Sequence, residues 1–350
     1  MLNYQKEPDQ VLELRQRYLR RLLHTCNSLP LALIGGDEES AARITLDQVY
    51  IELYTRTFEE PNPKVERKGG VIADARANQK PLSALEVATR HPRLVLLGDP
   101  GSGKSTFVQK MAGWVAGAAL GENLPPLPTG WDVTLLPIFT VLRELAPKLS
   151  NLNLSGLDEN ERDKRLLQTL FAHWQEELEN DQCGKFYSTL RQAVVEGKVF
   201  LVFDGLDEVP QQTRVLVRQS VTALLHQYRT IQRVIITCRI RSYVGNAVLP
   251  GWPDHRLAPF EAEQVQRFVA AWYNTQYKVG RFAASANVMR RLPTYNKRCA
   301  GRTGRTGCQP DVADDDGADP SARSASAQLT SQVLQAGSGN SVTTLESRRI

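Results

Sequence analysis

The period of the apolar positions shifts along the chain, and each shift predicts a different element. From Val11 to Cys26, apolar residues recur at Val11, Leu14, Tyr18 and Leu22, with Leu12, Leu19 and Leu23 beside them. That three-to-four spacing predicts an amphipathic helix. Arg15, Arg17, Arg20 and Arg21 occupy the other positions and read as a solvated face rather than an RNA- or lipid-binding one. Residues 44–54, ITLDQVYIELY, alternate or run apolar and predict a strand. Residues 59–70, EEPNPKVERKGG, are polar, Pro-bearing and Gly-ended, which predicts a linker or exposed loop.

The middle of the chain carries short apolar runs without polar alternation: 94–97 (LVLL), 134–140 (TLLPIFT), 199–203 (VFLVF) and 234–237 (VIIT). Strands buried on both faces have this texture. Helical patterns at 105–120, 163–177 and 213–228 lie between them and are long enough to serve as crossovers. The alternation predicts an α/β fold whose mostly parallel sheet is flanked by helices, with a helical extension before it. Beyond about Pro293 large apolar residues are sparse and Gly, Ser, Ala, Thr and Asp dominate. Such a segment cannot bury enough surface to offset its ordering entropy, so a disordered tail is expected. The organisation read from these patterns is an extension over 1–90, a core over 91–256, the start of a helical domain over 257–292 and a tail over 293–350.

Composition changes this picture little. The 350 residues are 41% hydrophobic and 23% charged, as in globular proteins, and a formal charge of +5 gives no signal for a nucleic-acid partner. Cys26, Cys183, Cys238, Cys299 and Cys308 are odd in number and lack metal-type spacing. With neither an apolar leader nor a run long enough to span a bilayer, a cytoplasmic protein with reduced thiols is expected.

One segment carries specific chemistry. Gly98-Asp99-Pro100-Gly101-Ser102-Gly103-Lys104-Ser105 fits the phosphate-loop pattern G-x-x-x-x-G-K-[ST], and it follows a predicted strand and opens a predicted helix. In that context the glycines let backbone N–H groups turn toward phosphates, and the helix dipole adds attraction. Lys104 would neutralise the β and γ phosphates, Ser105 would ligate magnesium and Thr106 would reach the α phosphate. A P-loop nucleoside triphosphatase also needs a carboxylate near magnesium, and KVFLVFDGLDEVP (198–210) places Asp204 at the end of a predicted strand. Asp207 and Glu208 follow as candidates to orient or deprotonate water, against the simpler reading that they open the next helix.

The run Asp204-Gly205-Leu206-Asp207-Glu208 resembles the second nucleotide-binding motif of NACHT-type NTPases, members of the STAND group of signalling ATPases. LLPIFTVLREL (135–145) resembles the family's strand with a trailing arginine. VIITCR (234–239) is similar to its sensor strand, whose arginine falls on Arg239. LAPFEAEQVQRFVAAWY (257–273) resembles the passage into its helical domain, and ITLDQVYIEL the segment that often precedes bacterial cores. The resemblance covers roughly residues 40–275. It implies an ATP/ADP switch with magnesium, slow hydrolysis, assembly into homo-oligomers through the core, and for bacterial members a tie to antiphage defence. The family's proline near the adenine and its winged-helix histidine have no counterpart here, since Pro293 in RRLPTYNKRC does not match. A truncated or frameshifted product is therefore expected, and the rival reading is a nucleotide-binding interaction module without appreciable turnover. Other nucleotide classes fit poorly: Gly301–Arg305 has no room for a second helicase domain, Leu154-Ser155-Gly156 lacks the Gly-Gln of a transporter signature, and Asn296-Lys297-Arg298-Cys299 lacks the Asp of a guanine reader.

Overall fold

A computed structural model describes residues 8–28, 45–58 and 81–278. In chain order its first elements are α1 (Pro8–Asn27), α2 (Leu46–Val49), β1 (Tyr54–Phe58), β2 (Pro81–Ser83) and α3 (Ala84–Arg90). The central part runs β3 (Arg93–Gly98), α4 (Lys104–Ala119), β4 (Leu136–Val141), α5 (Leu142–Ser150), α6 (Glu159–Asn180) and α7 (Tyr187–Glu196). It continues through β5 (Val199–Asp204), α8 (Arg214–Gln227), β6 (Arg233–Arg239) and β7 (Asp254–Arg256) to α9 (Ala262–Lys278). The described residues fall into two compact units, the larger over 8–27, 53–58, 81–99 and 103–258, the smaller over 28, 45–52, 100–102 and 259–278.

The larger unit is an α/β layer structure. Its five-stranded sheet has the order β4-β5-β6-β3-β7, every pair parallel. The apolar runs supply both faces at once, because successive side chains point to opposite sides. Leu94 and Leu96 of β3 join Phe200 and Val202 of β5 against Phe107, Val108 and Met111 of α4. Val95 and Leu97 join Leu201, Phe203, Val234 and Ile236 in the core shared with α5 to α8. A hairpin of β1 and β2 pairs antiparallel beside the sheet.

Edge strand β4 contains Pro137, a residue that central strands exclude because it cannot donate to a ladder. Helix α1 attends to this edge: Tyr18 donates its hydroxyl to the Pro137 carbonyl at 2.8 Å and stacks on Phe186 at 4.9 Å. Two of the predicted solvent-facing arginines reach partners far along the chain. Arg15 donates to the Thr134 carbonyl at 3.2 Å, and Arg21 pairs with Asp181 at 2.9 Å. Cys26, Cys183 and Cys238 are buried free thiols.

In the smaller unit the expected strand over 44–54 is corrected. Leu46–Val49 is one helical turn opened by a capping box, in which the Thr45 side chain meets the backbone of Gln48 and the Gln48 amide accepts from the Thr45 N–H at 3.0 Å. Both orphan groups are satisfied locally, which outweighs the alternation of the apolar residues. The strand begins only at Tyr54, in the larger unit. Val49 packs with Trp272 and Phe268 of α9. The expected linker at 59–70 and the expected disordered tail beyond Pro293 lie outside the described residues. Among the described residues no helix is long and apolar enough to cross a membrane.

A titratable group buried in the larger unit sets one pH dependence. On α6, Glu177 has 31% of its side chain exposed, and its Oε1 lies 3.3 Å from Nε2 of the buried His173. Lys148 donates to His173 Nδ1 at 3.0 Å, and burial lowers the imidazole to about 4, so this approach is not an ion pair near neutrality. Burial, with Glu144, Asp181 and Glu176 adding repulsion, raises Glu177 to about 7. A carboxyl raised on folding contributes stability that is full below its unfolded pKa and lost as pH rises through the folded one. Glu177→Gln should therefore stabilise the protein at pH 8 by about 2 kcal/mol and change it little at pH 5. Urea unfolding at the two pH values checks this, and equal gains at both would refute the assignment.

Candidate functional site

Three strands end together around the Gly98–Ser105 segment. The intervening strand β6 is the organiser: it pairs with β3 from Arg93↔Val234 to Gly98↔Arg239 and with β5 from Phe200↔Arg233 to Phe203↔Ile236. The C-terminal ends of β3, β6 and β5 therefore lie side by side, the place where open α/β sheets bind ligands.

From β3 the chain turns through Asp99, Pro100, Gly101 and Ser102 to Gly103, which caps α4. Gly103 has φ +85°, a left-handed conformation, and a Cβ there would stand 3.1 Å from Leu53 Cδ1. Any larger residue would be strained twice over, by its backbone and by Leu53. With Gly103 so turned, α4 starts at Lys104 and aims its first N–H groups back along the loop. Lys104 Nζ donates to the carbonyls of Gly98 at 3.0 Å and Asp99 at 3.1 Å. Burial lowers its pKa, Arg239 adds to that, and Asp207 and Asp204 oppose it. Thr106 follows in the first turn of the helix.

Ser105 and Asp204 are brought together: the Ser105 hydroxyl donates to Asp204 Oδ1 at 3.1 Å. Thr237 donates its hydroxyl to the same oxygen and accepts the Gly205 N–H at 2.8 Å. This threonine was missed by the sequence reasoning. Its signal was a polar residue inside the apolar run RVIITCR, and it is 1% exposed in the fold. One side chain thus fixes the Asp204 rotamer and pins the next backbone turn, where Gly205 takes φ +83°. Burial raises the Asp204 pKa, and the bonds from Thr237 and Ser105 hold it back.

Asp207 and Glu208 do not open a helix of any length. They sit in the single 3-10 turn Leu206–Glu208, anchored by buried Leu206, and α8 begins later, at Arg214. Asp207 Oδ2 receives Arg239 Nε at 2.7 Å and its Oδ1 receives the Arg239 backbone N–H at 2.9 Å. Glu208 Oε2 receives Arg143 Nη1 at 3.0 Å, from the first turn of α5. The acidic turn is thus held by one arginine from the end of β6 and one from the start of α5.

The fold and site define an α/β protein with a lysine-bearing loop, ending at the glycine that caps α4, beside a hydroxyl–carboxylate pair at the C-terminal ends of its parallel strands. Compared with known proteins, the sequence matches no family model and no curated protein.

Proposed function

We propose that this chain binds a magnesium-bound nucleoside triphosphate, ATP by preference, through Gly98–Ser105, and that it works as a NACHT-type signalling switch with slow hydrolysis. Under this reading ADP holds the resting form, ATP favours homo-oligomers through the core, and antiphage defence is the biological setting suggested by the motif resemblance.

The observation that carries the nucleotide reading is the shared Asp204 oxygen, which takes the hydroxyls of Ser105 from the first turn of α4 and of Thr237 from β6. A hydroxyl and a carboxylate are hard oxygen donors of the kind magnesium accepts beside phosphate and water. Ser105 and Asp204 would hold the ion, which when bound neutralises charge between the β and γ phosphates. Lys104 binds phosphate oxygens in place of the loop carbonyls, and Gly103 opens the helix whose N–H groups face them. Thr237 keeps Asp204 oriented throughout. The preference for ATP rests on the absence of a guanine-reading NKxD in the sequence.

A second reading, a nucleotide-holding module with negligible turnover, draws on a specific feature: both oxygens of Asp207 and one of Glu208 are already engaged by arginines.

Titration of the full chain with a fluorescent ATP analogue, with and without magnesium, tests the common element. Magnesium should tighten binding at least about tenfold in the native chain and have no effect in Asp204→Asn. A native chain whose affinity ignores magnesium would sink the proposal. Turnover in the same samples separates switch from module.

A further inference from the structure

Beyond the strand ends, the larger unit has a cavity of about 520 Å³ where α8 passes the N-terminal turns of α6 and the loop at Pro250. We infer that this cavity binds a small zwitterion, a free α-amino acid or a short peptide carrying both an ammonium and a carboxylate group, between the arginines and the acids that line it.

Two helix faces build the walls. Glu159, Arg162, Asp163 and Leu166 recur every three or four residues along α6 and so share one face. On α8, Arg218 stands about one turn beyond Arg214, the residue that fastens the acidic turn by donating to the carbonyls of Asp207, Val209 and Ser242. Arg162 and Arg218 are only partly exposed, yet neither makes an ion pair or a side-chain hydrogen bond among the described residues. The same holds for Glu159 and Asp163. Burial raises the Asp163 pKa and Glu159 adds to the rise, against His226 and Arg162, so the two carboxylates lie near each other. Two guanidinium groups and two carboxylates thus line one cavity without closing on one another.

That set selects the charge of the occupant. Guanidinium forks favour a carboxylate or a phosphate, but a phosphate monoester, with about two negative charges, is repelled by Glu159 and Asp163. A simple cation is repelled by the arginines. A molecule with one charge of each sign is neutral overall and finds partners for both ends. Gln219, also on the cavity wall, adds a separate requirement: its Oε1 is buried and has no hydrogen-bond partner among the described residues. An unsatisfied buried acceptor costs stability, and an ammonium group beside Gln219 supplies the missing donor. Leu166, 1% exposed, and Pro250 complete the wall with apolar surface that suits an aliphatic side chain. The volume lies within the range of small-ligand sites.

Isothermal titration of the full chain, without nucleotide so that the outcome is independent of the Gly98–Ser105 site, compares L-leucine, leucyl-leucine, N-acetyl-L-leucine and L-leucinamide. Leucine or the dipeptide should bind with a Kd below about 1 mM, and the two singly charged probes at least about tenfold more weakly. Tighter binding of leucine identifies a free amino acid as the occupant, tighter binding of the dipeptide a short peptide, and either supports the inference. Arg218→Gln and Asp163→Asn should each lower the affinity at least about tenfold. Gln219→Leu should do the same while raising the urea midpoint of the ligand-free chain, because it removes the buried acceptor. The inference is overturned if neither zwitterion saturates the chain below about 10 mM, if a singly charged probe binds as tightly, or if Arg218→Gln and Asp163→Asn bind like the native chain. Should Gln219→Leu fail to fold, those two variants decide the matter, since both alter partly exposed side chains.

Discussion

Lys104→Ala should reduce affinity for a nucleoside triphosphate by at least about a hundredfold, equivalent to about 3 kcal/mol. Lys104 is the first residue of α4, and its ammonium already spans the loop by donating to the carbonyls of Gly98 and Asp99. It lies within the influence of Asp204, Asp207 and Arg239. A half-buried ammonium in such a place forms charge-assisted hydrogen bonds to phosphate oxygens, each worth about 1.5–3 kcal/mol, and more than one is available to an –NH₃⁺ group. Burial lowers the Lys104 pKa, yet a lysine starts far above neutrality, and a triphosphate would restore the charged form. Equilibrium titration with a fluorescent ATP analogue measures the loss, and circular dichroism of the same sample shows whether the fold persists. An alanine variant that binds within about threefold of the native chain would remove the loop from the account of nucleotide binding.

The largest expected loss of stability lies at the N-terminal end of β6. Arg233 opens β6 and is 8% exposed, and its partners are carbonyls rather than a carboxylate. Nη2 donates to Gly130 at 2.7 Å and Nη1 to Ala88 at 2.9 Å, near the C-terminus of α3. Its guanidinium also lies 4.4 Å from the centre of the Trp131 ring, which meets Phe200 of β5 edge-on. One side chain thus joins the sheet, α3 and the loop that leads to β4. Arg233→Met keeps much of the apolar stem and removes the donors, leaving carbonyls without partners and the ring without its cation. Unsatisfied buried acceptors cost about 1–3 kcal/mol each and a desolvated cation–π contact about 2, so a loss of about 3–5 kcal/mol is expected. Urea unfolding followed by tryptophan fluorescence checks it. Arg233→Lys, with no planar fork to reach both carbonyls, should recover only part. A methionine variant within about 1 kcal/mol of the native chain would mean that the carbonyls find other donors.

What could be read from the sequence follows from how locally each feature is encoded. The continuous runs at 94–97 and 199–203 were legible as doubly buried strands because no polar residue interrupts them, and they became β3 and β5. The loop from Gly98 to Ser105 was legible because every part of its signal is contiguous. At 44–54 alternation pointed to a strand, yet the Thr45 and Gln48 pair closes a capping box, a two-residue signal that a count of apolar positions overlooks. The placement of β6 between β3 and β5 was not legible, since strand order is set by packing across the whole core. Thr237 remained hidden for that reason: a threonine in an apolar run gains meaning only when β5 is beside it. Likewise Asp207 and Glu208 are consecutive letters of one motif, and only the arrival of Arg239 from β6 and Arg143 from α5 tells them apart.

The strand order also bears on how the protein is made. β3 leads into the Gly98–Ser105 loop but pairs with β6 and β7, in which Arg93 meets Val234 and Val95 meets Asp254. Most of the core must leave the ribosome before β3 gains either neighbour, and contacts so distant in sequence form late and slowly. Until then its apolar run and the loop beyond it lack their native surroundings. The motif that emerges early from the ribosome is therefore among the last to become a site, and a nascent chain halted before β6 would carry the complete loop without the strand that gives it Thr237 and Arg239.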